Sequence, residues 1–387
     1  MPSLIRLERL SHALACSTAY GKGGLGRHFA QLVEESRAAG MLGRYYASEV
    51  REHDEVGMSV HSQWGESLMS MVTRRWWPTL HKHLANESFD HTVAGALVPV
   101  MRFTGFAGKT LHSMTRARAL GAERLEVVAP NAHVRQVQRL HAKAAQHSGF
   151  RDTWLGEAQI RKTCKEYEAA DKVLVHSDYV WESLVEYGVP ERKLSRTVLR
   201  IPARFHPPSR IVEDGVFRIV YVGRLDATKG IGVLLEAFRQ LPIRRAELYL
   251  VGGWTSRPMR RRCIEAVERD SRIRISPGDP VPVLQEADVY VHPTFEDGYA
   301  YSAVEALACG VPVVVTDQTG MKEYVREGEN GYVVATGNAE ALLERMLAVQ
   351  QHPLRSTKSL LPAHLVVADD TPESLAAPSR KRKPTVI

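Results

Sequence analysis

The segment VYVHPTFEDGYAYSAVEALACGVPVVVT, residues 289–316, contains the pattern that decides the fold. Its apolar start predicts a buried strand over Val289–His292, and the apolar run near its end predicts another over Val311–Thr316. Between them lie an acidic, glycine-containing loop and a helical pattern, predicted over Ala303–Cys309. Strand, helix and strand in this order form a βαβ unit with parallel strands, so the segment predicts an α/β fold.

The same alternation of strand and helix patterns extends upstream of this segment. Strands are predicted over Phe217–Val222 and Ala246–Val251, and helices over Gly230–Leu241 and Met259–Glu268. The first half of the chain alternates as well, with predicted strands Leu10–Ser17, Leu125–Ala129 and Lys172–His176 and predicted helices Arg27–Ala39, Gly156–Ala170 and Ser177–Tyr187. Such series predict doubly wound sheets, which bind ligands at the carboxyl ends of their strands.

Proline, serine and acidic residues interrupt this alternation between Ile201 and Val216, as is typical of an interdomain connection. We therefore predict an N-terminal domain over residues 1–204, a linker over 205–216 and a C-terminal domain over 217–347. Residues 348–387 show no sustained helical period, so we expect them to form a disordered tail.

Arg224 and Lys229 are two cations in the segment YVGRLDATKG, residues 221–230, which connects a predicted strand to a predicted helix. An arginine fork, a lysine ammonium and the free amides of a helix N-terminus are together suited to neutralise a diphosphate without a metal ion. The alternative interpretation is a solvated loop whose cations pair with Asp226.

Asp297 and Glu305 are eight residues apart, one in the acidic loop and one in the following helix. At such positions, carboxylates are able to accept hydrogen bonds from sugar hydroxyls. Ser302 and Glu305 also match a capping box, in which the glutamate only reaches back to the first turn of the helix. The spacing leaves both interpretations of Glu305 open.

These segments resemble the C-terminal domain of retaining glycosyltransferases of family 4, which have the GT-B fold. The family pattern has the form E-G-F-G-x-x-x-x-E-A-x-A-C-G-x-P-V, and here it reads DGYA at 297–300 and EALACGVPV at 305–313. The resemblance covers most of residues 11–335. It implies an α/β structure of two Rossmann-like, doubly wound domains that face a cleft.

The resemblance also implies roles for individual residues. Arg224 and Lys229 would hold the donor diphosphate, Glu305 the ribose and Asp297 the transferred sugar. Gly298 and Tyr299 are included among the donor-binding residues. Aspartate replaces the family's glutamate at position 297, which shortens the reach of this carboxylate by one methylene.

The N-terminal half carries two further features of the family. Gly24 and Gly26 lie in a sequence, GGLGRH at 23–28, that matches the glycine-rich first loop, whose backbone approaches the donor phosphate. His133 follows a predicted strand at a place where these enzymes often carry a histidine, so we expect it near the reacting sugar. A structural role for His133 is the alternative.

The reaction implied is the metal-independent transfer of a sugar, with retention of configuration, from a nucleotide-sugar to a saccharide or lipid-linked acceptor. The donor would be linked to UDP or GDP, and we expect neither a cofactor nor a metal site. The product class suggested by the family is a polysaccharide or glycolipid.

Two rival functions remain. Gly21–Gly26 spells G-x-G-x-x-G and is followed by Glu49, which is typical of an NAD-dependent oxidoreductase. Against it, the segment Ser17-Thr18-Ala19-Tyr20 separates the predicted strand from the first glycine, and this function leaves the C-terminal residues without a role. The second rival is a non-catalytic nucleotide-sugar-binding relative, which the unusual tail suggests.

Composition narrows the class of protein. The chain is 44% hydrophobic and 25% charged, has four widely spaced cysteines and contains no apolar run of membrane-spanning length. We therefore expect a cytoplasmic enzyme without disulfides or structural zinc. The formal charge of +7 permits anionic partners. The segment TRRWWP, residues 73–78, suggests peripheral contact with anionic lipid at the inner membrane face. The basic run at residues 379–384 is interpreted as a solvated chain end. We expect no binding of nucleic acid.

Overall fold

The computed structural model describes residues 10–60 and 77–367, which form two compact units. The first unit comprises the described residues up to Arg135 together with 154–176 and 180–199. The second comprises 136–153, 177–179 and the described residues from Arg200 onward. These units differ from the predicted domains, because residues 136–153 pack with the C-terminal half: Ala144 joins its core and the Ser148 carbonyl accepts a hydrogen bond from Arg262 at 2.8 Å.

The first unit is built on a seven-stranded sheet in the order β3-β2-β1-β4-β5-β6-β7. Its strands are β1 Leu10–Ala19, β2 Leu42–Glu49, β3 Gly57–Ser59, β4 Val100–Phe106, β5 Arg124–Val128, β6 Lys172–Val175 and β7 Leu194–Arg196. All neighbouring strands pair in parallel. The strand order reverses between β1 and β4, as in a doubly wound Rossmann-like sheet.

Helices connect these strands, because parallel neighbours require crossover connections. They are α1 Gly23–Ala38, α2 Pro78–Ala96, α3 Leu111–Ala119, α4 Val134–Ser148, α5 Glu157–Ala169 and α6 Asp178–Glu186. Helix α4 connects β5 to α5 along the chain, but from residue 136 onward it belongs to the second unit. Part of the core of the first unit lies between α1 and the sheet, where Phe29 and Val33 pack against Leu14 and Phe106. Burying such side chains contributes about 1.5–3 kcal/mol each to stability.

The second unit repeats this topology in a six-stranded sheet with the order β11-β10-β9-β12-β13-β14. Its strands are β9 Phe217–Val222, β10 Ala246–Val251, β11 Ile273–Ser276, β12 Val289–His292, β13 Val313–Thr316 and β14 Gly331–Val334, and β8 Ile201–Pro202 precedes them. Its helices are α7 Ile231–Arg239, α8 Arg257–Arg269, α9 Pro280–Glu286, α10 Tyr301–Ala308 and α11 Ala339–Gln351. The predicted α/β fold with two Rossmann-like sheets is therefore confirmed.

The segment after residue 347 differs from expectation. Helix α11 continues to Gln351, Leu361 and Leu365 are buried, and a short strand β15, Val366–Val367, pairs with β8. The expectation of a disordered tail is therefore wrong for residues 348–367, because apolar side chains here find a core to pack against. Residues 368–387, with the basic run, lie outside the described residues.

Two other features bear on the predictions. The linker proposed over residues 205–216 contains no helix or strand, and its role between domains stays a prediction. Within residues 10–60 and 77–367, no helix is both long enough and apolar enough to cross a membrane.

Gly310 and Gly328 offer a test of how residues 354–360 pack against the end of α10. Both glycines have a positive φ, 74° and 75°, but a Cβ on Gly310 would lie 2.1 Å from the Ser356 carbonyl oxygen, whereas a Cβ on Gly328 would meet nothing within 4 Å. We expect Gly328→Ala to lower the free energy of unfolding by about 1–2 kcal/mol, the cost of the left-handed backbone. Gly310→Ala should cost clearly more, since the Ser356 backbone must also move. Equal losses in urea denaturation would contradict this packing.

Candidate active site

The carboxyl ends of β9 and β12 are neighbours in the second sheet, where the strand order reverses. The loops that follow these two strands are joined by a hydrogen bond from the Phe295 amide to the Thr228 carbonyl oxygen, at 2.8 Å. At Gly230, where φ is 71°, a Cβ would lie 1.9 Å from the Pro293 carbonyl oxygen, so only glycine permits this approach. Ligands of doubly wound sheets bind at this reversal point.

Lys229 and Asp297 connect the two loops through an ion pair. The Lys229 ammonium lies 2.6 Å from Oδ2 of Asp297 and also donates to the Glu296 carbonyl oxygen at 3.2 Å. His292, the last residue of β12, places Nε2 3.2 Å from the same Oδ2. The sequence placed Lys229 and Asp297 in one site, and the structure brings them into direct contact.

The charges of this cluster follow from its contacts. Burial alone would raise the pKa of Asp297, but the Lys229 ammonium and the His292 ring lower it well below its usual range. Burial lowers the pKa of His292 in spite of the opposing effect of Asp297. At neutral pH Asp297 is therefore a carboxylate and His292 a neutral imidazole.

Both carboxylate oxygens of Asp297 are engaged within the loop. Oδ2 contacts Lys229 and His292, while Oδ1 accepts a hydrogen bond from the Ala300 amide at 2.9 Å. The Tyr299 amide, 3.4 Å from Oδ1, is a fourth donor. A carboxylate offers about four acceptor positions, so these donors leave little capacity for further hydroxyl groups. The contacts thus make Asp297 an organiser of the loop, and its contact with the transferred sugar stays a prediction.

Arg224 lies in the loop after β9, and its side chain is 52% exposed. One guanidinium nitrogen is 3.2 Å from Oδ2 of Asp226. Asp226 is buried, and its Oδ1 accepts hydrogen bonds from the Thr228 hydroxyl at 2.7 Å and the Lys229 amide at 2.8 Å. The pairing with Asp226 foreseen from the sequence is therefore present. Because a guanidinium carries five N–H donors, this contact is compatible with binding a phosphate.

The capping-box interpretation of Glu305 is wrong. Helix α10 begins at Tyr301, its N-cap residue is Ala300 in the left-handed conformation, and no side chain caps it. Ser302 is inside the helix, where its hydroxyl lies 2.7 Å from the Tyr290 hydroxyl. Glu305 is buried on the same helix, and the contact of its carboxylate with a ligand stays a prediction.

Gly298 and Tyr299 occupy packed positions in the same loop. The Gly298 carbonyl oxygen accepts a hydrogen bond from the Ser177 hydroxyl at 2.7 Å. Tyr299 is buried edge-to-face against Tyr301 and Tyr324, with ring centres 5.1 and 6.3 Å away, and burial raises the pKa of its phenol well above the usual range. These contacts shape the loop, and a donor contact from either residue stays a prediction.

The glycine-rich segment of the first unit lies between β1 and α1. Gly26 is buried in the first turns of α1, where a Cβ would lie 2.3 Å from the Ala19 carbonyl oxygen, whereas Gly24 is only partly buried. Strand β1 was expected to end at Ser17 but continues to Ala19, since Ala19 still pairs with Glu49 across a register shift. The argument against a dinucleotide site that relied on this separation is therefore wrong.

His133 is held by contacts within the first unit. Its ring stacks on Tyr187 with centres 4.6 Å apart and planes 10° apart, and its Nδ1 lies 3.3 Å from the Arg135 amide. Burial, with a smaller contribution from Arg135, lowers the pKa of His133 to about 4. These contacts favour the structural alternative for His133, while a role near the reacting sugar remains untested.

His292 was missed in the sequence. It ends the buried strand VYVH and is itself buried, so a polar residue inside an apolar run directly before the acidic loop was the available signal. Buried polar groups require a hydrogen-bond partner, and the nearest polar side chains were those of this loop.

The C-terminal half matches a known protein family. The family model described as glycosyl transferases group 1 aligns with residues 216–352, which include the two loops, the cluster and α10. Residues 216–352 are thus similar to the glycosyl transferases group 1 family. The resemblance to glycosyltransferases read from the sequence is thereby confirmed for this domain.

Known proteins agree with the family model. The amylovoran biosynthesis glycosyltransferase AmsK of Erwinia amylovora is 26% identical over 197 residues, which cover 47% of this chain and 48% of AmsK. The chain thus spans about half the length of the curated relatives it matches. Sucrose-phosphate synthase of Thermosynechococcus elongatus has a similar fold, with a TM-score of 0.71, 20% identity and coverage of 91% of this chain and 92% of that protein.

A second solved structure is HepE of Anabaena in complex with UDP and glucose. It aligns with a TM-score of 0.61 at 13% identity, over 90% of this chain and 93% of HepE. At such identities the likeness concerns the fold alone. This fold is the GT-B fold, with one parallel sheet in each of the two units.

Replacing His133 by phenylalanine tests its structural role through pH. Between the folded pKa of about 4 and the unfolded value of about 6.5, the unfolded chain binds more protons, so stability is lost as the pH falls through this window. One histidine changes the free energy of unfolding by at most about 1.4 kcal/mol per pH unit. His133→Phe should lack this contribution to the slope of stability against pH, while its ring still stacks on Tyr187. His53→Phe, at a side chain 92% exposed, is the control and should keep the wild-type slope. An unchanged slope in His133→Phe would contradict the account.

A double-mutant cycle tests the helix start seen here. Because the Ser302 and Tyr290 hydroxyls share a hydrogen bond, Ser302→Ala and Tyr290→Phe should couple by about 1 kcal/mol in the free energy of unfolding. Independent effects of Ser302→Ala and Tyr290→Phe would contradict this helix start.

Proposed function

We propose that this protein is a retaining, metal-independent glycosyltransferase of polysaccharide biosynthesis, which transfers a sugar from a UDP- or GDP-linked donor to a saccharide or lipid-linked acceptor. The observation that carries the proposal is the pair of cations, Arg224 and Lys229, on the loop after β9 at the reversal point of a group 1 domain. A diphosphate placed there would face both cations and the N-terminal amides of α7.

The chemistry asked of these residues is electrostatic. The bond between the anomeric carbon and the diphosphate oxygen breaks while the acceptor hydroxyl attacks from the same face. The hydroxyl proton passes to the departing diphosphate, so neither a covalent enzyme intermediate nor a metal is required. Arg224 and Lys229 would stabilise the negative charge that builds on the leaving group, and such preorganised donors act most strongly in the transition state.

Glu305 is the residue that we assign to the nucleoside. Its carboxylate is buried on α10, directly after the loop that Lys229 and Asp297 organise. Ionised carboxylates accept strong hydrogen bonds from the adjacent hydroxyls of a ribose. Because HepE, a protein of similar fold, was solved with UDP bound, UDP is the first nucleotide to test.

The second candidate function, NAD-dependent oxidation, is retained because of one observation. Strand β1 extends to Ala19, so Gly21–Gly26 connects a strand to a helix as a dinucleotide-binding segment does. Glu49 at the end of β2 is the matching acid, and here it pairs with Lys22. This candidate gives no role to Arg224, Lys229 or Glu305.

A thermal-shift panel of UDP, GDP, ADP, their sugar conjugates and NAD separates these functions. A rise in melting temperature with one nucleoside diphosphate and its sugars, and none with NAD, is the expected result. Stabilisation by NAD alone would favour the oxidoreductase and overturn the transferase proposal.

Peripheral membrane contact is a further part of the proposal. Arg74, Arg75 and Trp76 lie outside the described residues, while Trp77 and Leu80 at the start of α2 are 56% and 44% exposed. Exposed apolar side chains beside basic residues suit the surface of an anionic membrane. Co-sedimentation with vesicles should rise with the fraction of anionic lipid, and binding that ignores lipid charge would contradict this contact.

Lys229→Met and Arg224→Ala should each lower turnover roughly a hundred- to a thousandfold, by analogy with the loss of one preorganised donor. EDTA should leave wild-type turnover unchanged. Lys229→Met should also lower stability, because Asp297 loses its counterion, and adding Asp297→Asn should recover part of that stability without recovering activity. Transfer assays and urea denaturation measure the two effects separately. Wild-type turnover in either single variant would refute the diphosphate role.

A further inference from the structure

Three potential metal ligands meet on two helices of the first unit. Glu87 and His91 lie on α2 and His112 lies in the first turn of α3. One ligand atom from each residue can be chosen so that all three lie within 4.8 Å of one another. We infer that Glu87, His91 and His112 form a binding site for a divalent transition-metal ion, with Zn²⁺ as the preferred ion.

The positions of these residues follow from the backbone. Glu87 and His91 are four residues apart on α2, which places them on one face of the helix. Asp90 of α2 accepts hydrogen bonds from the His112 and Ser113 amides, both at 2.9 Å, and so caps α3. Because this buried carboxylate holds the start of α3 against α2, His112 is kept opposite His91 independently of any ion.

The three side chains form a suitable donor set. Two imidazoles and one carboxylate are typical zinc ligands and leave a fourth position for water. The two rings are stacked with centres 3.8 Å apart, and Oε2 of Glu87 lies 2.9 Å from Nε2 of His112. Donors of a tetrahedral zinc ion lie about 3.4 Å apart. Because imidazole lone pairs lie in the ring plane, one of the two stacked rings must also turn about its side-chain bonds before both nitrogens face the same ion.

Lys162 positions the carboxylate. Its ammonium is 4% exposed and contacts Oε1 of Glu87 and Oδ2 of Asp90, the latter at 2.7 Å. Oε2 of Glu87 is hydrogen-bonded to Nε2 of His112, and an ion bound by both atoms would replace the proton between them. Two carboxylates against one ammonium give a local charge of −1, which favours the entry of a cation. His91 is exposed and the His112 side chain is 37% exposed, so solvent provides the access route.

The ion would tie α2 to α3 and stabilise the first unit. The proposed sugar transfer does not involve these residues, so a test of the metal site is independent of the proposed function. Its test therefore needs no activity assay.

The experiment titrates Co²⁺ into untagged, EDTA-treated and dialysed protein, follows the visible absorption of bound Co²⁺, and then displaces it with Zn²⁺. We expect one Co²⁺ per chain, replaced by one Zn²⁺, and a higher melting temperature with Zn²⁺. Removing an outer-shell partner typically costs 10- to 100-fold in metal affinity. Loss of a ligand in His91→Ala, His112→Ala or Glu87→Gln should therefore weaken binding by at least about a hundredfold.

His53→Ala removes an exposed histidine outside the cluster and should bind Co²⁺ like the wild type. His91→Ala is the decisive variant, because an exposed side chain can be truncated with little effect on folding, which its melting temperature without metal verifies. Wild-type affinity in His91→Ala, or the absence of Co²⁺ absorption in the wild type, would overturn the proposal.

Discussion

The ion pair between Lys229 and Asp297 is the interaction on which the candidate site depends. At 2.6 Å it connects the loop after β9 to the loop after β12, and the strands that carry these loops are neighbours where the sheet reverses. It needs the close approach that Gly230 permits and the second contact that His292 supplies. Since a partly buried carboxylate without these partners would be costly, the pair also determines the loop from which α10 starts.

The shorter Asp297, in place of the family's glutamate, acquires a physical meaning in this arrangement. Its carboxylate reaches back to Lys229, His292 and the Ala300 amide. The proposed sugar contact would therefore compete with loop organisation for the same two oxygens. Lys229 is paired with Asp297 and Arg224 with Asp226 before any diphosphate arrives. Arg224 is the more exposed of the two cations and would be the first that a donor meets.

Buried parallel strands could be predicted from the sequence, because an apolar run bounded by polar turns has one interpretation when βαβ units repeat. Phe217–Val222, Ala246–Val251 and Val289–His292 have the predicted bounds. The start of α10 could not be predicted, because residue types favour a serine N-cap. The preceding loop instead places Ala300, in a left-handed backbone conformation, at the N-cap position. The surroundings of His133 could not be predicted either, because Tyr187 is distant in sequence and contacts His133 only in the folded chain.

The central claim is that the group 1 domain binds a nucleoside diphosphate through Glu305 and the two cations. Calorimetric titration of UDP and GDP into the wild type and Glu305→Gln tests it most directly. One nucleotide should bind the wild type, and the variant should bind it about 1–2 kcal/mol more weakly, the difference between charge-assisted and neutral hydrogen bonds, at unchanged stability. Equal affinities in the two proteins, or no binding of either nucleotide to the wild type, would contradict the account.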